Sequence, residues 1–126
     1  MRRLWWLLLI VAACGGDAAS LPVPGTLTLR LHTPNANDGA LVVVVSGGPV
    51  LAVRPAGSLE LARNSDGAGT HLLLVGDLTE GVVALVDIPD ISRASAYVAT
   101  LEQVADRTSF SLLDAAAYQV TITPAP

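Results

Sequence analysis

Polar and apolar residues alternate strictly over residues 26–32, Thr-Leu-Thr-Leu-Arg-Leu-His. A period of two marks a strand with one covered face, so Leu27, Leu29 and Leu31 are expected inside and Arg30 and His32 outside. Residues 34–39, Pro-Asn-Ala-Asn-Asp-Gly, then read as a turn, because Asn, Asp and Gly tolerate positive φ and Pro pre-sets its own. The β-branched run 41–45 does not alternate, as expected of a strand covered on both faces. Gly47-Gly48-Pro49 ends it. Short strands are predicted over 50–53 and 58–63, the second with Leu59 and Leu61 inward. Asn64-Ser65-Asp66-Gly67 reads as another turn, and 70–75 as a strong strand. Residues 76–81 are read as a connection to a strand over 82–88, stopped by Pro89.

Residues 97–103 fit two periods. Strand spacing aligns Tyr97, Ala99 and Leu101, and helix spacing aligns Tyr97, Leu101 and Val104. The strand is favoured because short strands surround the segment at near-regular spacing. One helical turn is expected within 111–116, and a closing strand over 118–122. Seven or eight short strands separated by turn signals predict an all-β fold of two antiparallel sheets packed face to face over residues 26–126. The expected core includes Leu27, Leu29, Leu31, Val43, Leu73, Leu85, Leu101 and Val120.

The N-terminus breaks this pattern. Arg2 and Arg3 precede an apolar run at 4–10, then Val11-Ala12-Ala13 and Cys14, the one cysteine in 126 residues. The apolar stretch is much shorter than the roughly 20 residues that span a bilayer. The order of basic end, short apolar stretch, small residues and Cys resembles the export signal and lipobox of bacterial lipoproteins. That resemblance implies that residues 1–13 are a cleaved signal peptide. It also implies that Cys14 becomes the first residue and that its sulfur carries lipid, with two or three acyl chains (diacylglycerol and palmitate) in all. One chain anchors marginally and two or more hold firmly, at ~0.8 kcal/mol per buried CH₂. Residues 14–25, with Gly15-Gly16, Pro22 and Pro24, read as a lipidated tether. The expected location is the bacterial cell envelope. Gly15 stands where an Asp would favour inner-membrane retention, so the outer membrane is favoured if the organism has two.

Composition narrows the functional classes. The chain carries a net charge of −4 at pH 7. After residue 13 only Arg30, Arg54, Arg63, Arg93 and Arg107 oppose eleven acids. Nucleic acid is therefore not an expected partner. There is no lysine to form a Schiff base, and a single cysteine permits no internal disulfide. Trp5 and Trp6 leave with the signal, so Tyr97, Phe110 and Tyr118 are the remaining aromatics.

The strand pattern is similar to bacterial β-sandwich modules of immunoglobulin-like or cohesin-like type, on residues 25–31, 38–41, 76–78, 88–90 and Tyr97. Cohesins bind dockerin modules, but no residue set here transfers that specificity. In immunoglobulin-like sandwiches a Tyr near such a strand start often bonds its hydroxyl to loop backbone. Tyr97 has that reading beside simple core packing.

Candidate chemistry is sparse. Asn35, Asn37 and Asp38 offer oxygens to calcium, yet Asp38, Ala36 and Pro34 occupy the alternating positions before Gly39, so the EF-hand pattern fails. Asp87 and Asp90, with Asp77 and Glu80, could meet at one end of the sandwich, but solvated loop carboxylates are the better reading. His32 and His71 lack a His or Cys at ligand spacing. Ser46, His71 and Asp87 supply the side chains of a hydrolase triad without a nucleophile elbow or an oxyanion hole. No catalytic, cofactor or metal site is expected, and Cys14 is the one site residue assigned. The leading expectation is a non-catalytic envelope lipoprotein that binds or scaffolds an envelope protein, with contacts on loops 35–39, 64–69 and 77–81. The alternatives are a carbohydrate-binding module, which would need exposed aromatics, and a secreted hydrolase.

Overall fold

A computed structural model describes residues 21–126. The lipobox, Cys14 and most of the expected tether lie outside the described residues. Nine strands follow in order: β1 (Gly25–His32), β2 (Asp38–Ser46), β3 (Ala52–Pro55), β4 (Glu60–Asp66), β5 (Gly69–Leu78), β6 (Gly81–Ile88), β7 (Val98–Asp106), β8 (Leu112–Leu113) and β9 (Gln119–Pro124). Two short 3₁₀ turns, Ile91–Ala96 and Ala115–Ala117, interrupt them. One sheet has the order β3-β6-β1-β9 and the other β4-β5-β2-β7-β8. Every pairing is antiparallel. The expected two-sheet sandwich is therefore what the described residues form, with nine strands among them rather than seven or eight.

The alternation of β1 sets one half of the core. Leu27, Leu29 and Leu31 are completely buried. Leu27 pairs with Val86 and Leu29 with Ala84, which turns those two β6 residues inward as well. Across the core, β2 contributes Leu41, Val43 and Val45, and β5 contributes Leu72 and Leu74. Leu101 and Val120 pack against this cluster from partly buried positions. The strand reading of 97–103 holds, since β7 begins at Val98.

Two expected core residues do not belong there. Leu73 is outward and 39% exposed. The Leu72-Leu73-Leu74 run gives no alternation to read, and the outer face of this sheet is itself apolar. Leu85 is only partly buried: with its β1 partner Thr28, itself a buried residue, it lies on the face of the sheet opposite the core leucines. Several turn boundaries also differ. Asp38 and Gly39 belong to β2, and Asn64, Ser65 and Asp66 to β4, leaving Gly67-Ala68 as the hairpin turn. Gly76, Asp77 and the fully buried Leu78 extend β5, so Thr79-Glu80 alone joins it to β6. The strand expected over 50–53 starts at Ala52, the one over 58–63 at Glu60, and the helical turn falls on Ala115–Ala117.

The sandwich has two distinct ends. Its near end, where β1 begins, carries the β2–β3 connection, the Gly67-Ala68 turn and the 3₁₀ turn Ile91–Ala96. Its far end carries the loops 33–37, 56–59, 79–80, 107–111 and 114–118.

Candidate functional site

The far end holds the densest polar arrangement. Asp38 opens β2 and is fully buried. The Tyr118 hydroxyl donates to its Oδ1 at 2.8 Å and the Thr33 hydroxyl to its Oδ2 at 2.5 Å. Asn35 Nδ2 donates in turn to the Tyr118 oxygen at 2.6 Å. Burial first, and the Asp38 carboxylate second, raise the Tyr118 hydroxyl above its ordinary pKa. Buried polar groups need such partners, and here each end of the carboxylate has one.

A second cluster abuts the first. The Arg107 guanidinium meets Asp77 and donates to Asn37 Oδ1 at 3.0 Å. The Arg107 backbone N–H also reaches the Asn37 carbonyl at 2.8 Å. Gly39 is required beside this contact, because a Cβ there would stand 2.5 Å from Arg107 Cα. Asp106 Oδ1 accepts the Thr108 and Ser109 N–H groups at 2.8 and 2.9 Å. Those Ser109 and Thr108 bonds hold Asp106 below the ordinary carboxylate range. Asn37 Nδ2 adds a bond to Thr108 at 3.0 Å.

Beside these clusters, His32, Thr33, Glu80, Ala116, Ala117, Tyr118 and Gln119 line an open polar depression of about 460 Å³. Glu80 accepts the Thr33 N–H at 2.7 Å and lies 3.0 Å from His32 Nδ1. The Thr33 bond, then His32, lowers its pKa. Both side chains are about half exposed, so their pairing contributes little to stability. The depression has the openness of a contact surface rather than the enclosure of a small-molecule pocket.

The remaining sequence candidates are dispersed. Glu80 precedes β6 and Asp87 and Asp90 close it, so they sit at opposite ends of the strand. Asp87 accepts from Thr26 Oγ1 and Arg54 Nη2, both at 2.7 Å. Asp90 caps the 3₁₀ turn through Ser92. Among the described residues no group of three or more His, Cys, Asp or Glu side chains is placed to hold a metal ion. Ser46 and His71 lie on the five-stranded sheet and Asp87 on the outer face of the other, so the three do not form a triad. His71 instead has Nε2 2.9 Å from Asp66 Oδ2 and Nδ1 4.0 Å from Glu102. Despite that proximity, His71 Nε2 makes no hydrogen bond.

Tyr97 satisfies both of its readings. It is 6% exposed within the core, and its hydroxyl donates to the Pro49 carbonyl at 2.7 Å. The Gly47-Gly48 pair makes room for it. Gly47 has φ +105° and passes against the Ala96 carbonyl, while a Cβ on Gly48 would lie 2.6 Å from the Tyr97 oxygen. Burial raises the Tyr97 hydroxyl pKa. Tyr97 is thus a corner of the fold at the near end, away from the far-end clusters.

Sequence reasoning missed Tyr118, Asp106 and Arg107. The Asp106-Arg107-Thr108-Ser109 string carries a local cue, since Asp side chains commonly accept backbone N–H groups two residues on. Nothing local marks Tyr118 as the partner of Asp38.

The fold and this far-end surface define a β-sandwich module. No family model matches the chain. No curated protein and no solved structure matches it either.

Proposed function

We propose that the chain is a lipid-anchored, non-catalytic module of the bacterial cell envelope that binds or scaffolds another envelope component. The observation that carries this reading is the N-terminal order: Arg2-Arg3, the apolar run 4–10, Val11-Ala12-Ala13 and the sole Cys14. Among the described residues no helix is long and apolar enough to cross a membrane. The lipid on Cys14 is the anchor in this reading, with the outer membrane as its site where two membranes exist. Residues 15–20 can span at most ~20 Å, at ~3.3 Å per residue. The chain reaches β1 at the near end, where the Val23 carbonyl accepts the Ile91 N–H at 2.8 Å. An anchor at Cys14 therefore directs the far end away from the bilayer. Of the expected contact loops, residues 35–37 and 79–80 lie at that outward end and supply its contact surface, with Asp38 and Leu78 buried beneath them. The hairpin turn within loop 64–69 points back toward the anchor. Holding the domain at a membrane raises its local concentration for a partner there, which suits binding.

The carbohydrate alternative has less support, because Tyr97 and Tyr118 are buried and Phe110 is left as the exposed aromatic among the described residues. Cys14→Ser in the full chain tests the anchor, by membrane fractionation and metabolic labelling with palmitate. Loss of label, with release from the membrane or retention of residues 1–13, is the expected result. A variant that is cleaved and membrane-bound like wild type would refute the reading.

A further inference from the structure

We propose that the near end of the sandwich is a membrane-contact surface, seated on the lipid headgroups beside the anchor. The domain is then attached twice, by acyl chains and by its own apolar loops. The inference rests on the lipid-anchored reading above and adds a second contact to it.

Three segments build the surface. Residues 21–24 are Leu-Pro-Val-Pro and residues 47–51 are Gly-Gly-Pro-Val-Leu, and neither carries a charged side chain. The segment 91–97 joins them. Its Ile91 N–H donates to the Val23 carbonyl at 2.8 Å, and its Tyr97 hydroxyl donates to the Pro49 carbonyl at 2.7 Å. Gly47 passes against the Ala96 carbonyl. Large apolar side chains on these segments and at their margin face solvent. Leu21 is 85% exposed, Val23 61%, Leu51 56%, and Val98, the residue after Tyr97, 54%. Apolar side chains gathered this way on one end of a domain mark a contact surface.

The two ends differ in charge. Among the described residues, the near-end segments 21–24, 47–51, 67–68 and 89–97 hold Asp90 and Arg93 as their only charged side chains, 3.9 Å apart. Asp87, at the end of β6, is held by Arg54 at 2.7 Å. The far end instead gathers Asp38, Glu60, Asp77, Glu80, Asp106 and Asp114 in its loops and adjoining strand ends, with Arg107 already engaged by Asp77 and Asn37. Carboxylates brought to a bilayer lose hydration and meet anionic headgroups, whereas apolar loops gain by entering the interface. The outer face of the five-stranded sheet is also partly apolar, but Glu60, paired with Val75, and Glu102, beside His71, stand on it.

The occupant follows from where the chain enters the domain. Residues 15–20 reach at most ~20 Å, at ~3.3 Å per residue, and they lead into Leu21, within this surface. From there β1 runs eight residues toward the far end, about 27 Å at ~3.4 Å per residue. With lipid on Cys14 the bilayer is therefore the apolar phase held permanently within reach of the near end. Such a short link makes the second contact intramolecular, so a contact too weak to bind a free domain is populated here. Its strength grows with the apolar area that enters the interface.

Tryptophan fluorescence of the processed full chain tests the proposal. Trp5 and Trp6 lie within residues 1–13, so a tryptophan introduced after Cys14 is the only one in the lipidated protein. Leu51→Trp and Val98→Trp report on the near end, Leu112→Trp on the outer face of the five-stranded sheet and Phe110→Trp on the far end. All four positions are exposed, so the fold tolerates the ring. Each variant is extracted in detergent, its N-terminal mass is measured, and it is reconstituted in vesicles of phosphatidylethanolamine and phosphatidylglycerol, with and without brominated phosphatidylcholine. Leu51→Trp and Val98→Trp should shift to the blue and lose emission to the brominated lipid. Leu112→Trp and Phe110→Trp carry the same indole and should do neither. Quenching at the near-end pair no stronger than at the other two overturns the proposal while leaving the anchor intact, and its absence at all four sites leaves the near end to a protein partner. A mass without lipid on Cys14 overturns the anchor reading and this one with it.

Discussion

Tyr118→Phe probes the far-end network at its most buried point. The substitution keeps the ring, so no cavity opens, and removes only the hydroxyl that donates to Asp38 Oδ1 at 2.8 Å. Asp38 has no solvent exposure to compensate, and Thr33 becomes its remaining side-chain donor. Asn35 loses its acceptor too, but it sits at the surface and can turn to water. A hydrogen bond to a charged group contributes about 1.5–3 kcal/mol net, and burial of the acceptor places this one in the upper part of that range. For a domain of this size 1 kcal/mol shifts the melting temperature by roughly 4–8 °C, so the upper part of that range, about 2–3 kcal/mol, predicts a fall of roughly 8–24 °C. Circular dichroism of the thermal transition measures it directly. Repeating the substitution in an Asp38→Asn background completes a double-mutant cycle. With a neutral amide as acceptor the bond contributes only about 1 kcal/mol, so Tyr118→Phe should cost clearly less there. A melting temperature within about 2 °C of wild type, or fully additive losses, would refute the account of Asp38 as a buried acceptor that depends on this hydroxyl.

Leu29→Ala, at a fully buried position, should cost about 2–5 kcal/mol in denaturant titration, while Leu73→Ala on the outer face should cost far less; equal losses would contradict the assignment of faces. Acid should destabilise the domain. Asp87 is held below its ordinary 3.8 by Thr26 and then Arg54, Asp106 by the Ser109 and Thr108 N–H groups, and Glu80 below 4.5 by the Thr33 N–H and then His32. Between each folded and unfolded value the unfolded chain binds more protons. Their stabilisation is therefore full above about pH 5 and drains as pH falls through the folded values. A melting temperature that stays level or rises between about pH 5 and pH 3 would exclude this linkage.

What could be read from the sequence was whatever a short window carries. β1 was legible because its outer neighbours are polar, so period two stands out over residues 26–32. The class of fold followed from several such windows and the turns between them. Leu73 and Leu85 were misplaced because both faces of β5 and β6 carry apolar residues, so hydrophobicity alone cannot say which residue points inward. The register with β1 and β2 decides it instead. Asp38 was read as turn chemistry because Asn37-Asp38-Gly39 looks like a loop in isolation. Its burial depends on Tyr118, 80 positions away, and that separation lies beyond any local pattern. Tyr97 was legible by contrast, since a Tyr opening a strand after a Pro-Asp loop is a local arrangement with a known geometric use.

The two clusters missed in the sequence converge on the loop that carries Phe110. Asn37 and Asp77 fix Arg107 from two different strands' ends, and Asp106 draws the Thr108 and Ser109 N–H groups back onto itself. The Phe110 N–H then closes onto the Asp106 carbonyl at 3.1 Å. Each bond removes freedom from a stretch of backbone that would otherwise relax away from φ +58° at Phe110. A strained residue persists only where its surroundings over-determine it. The polar network therefore does for the loop what the leucines of β1 do for the core: it holds one conformation against the alternatives. The consequence is a loop backbone held in one conformation, with Phe110 kept beside a hollow lined by Gly39, Ala40 and Ala105.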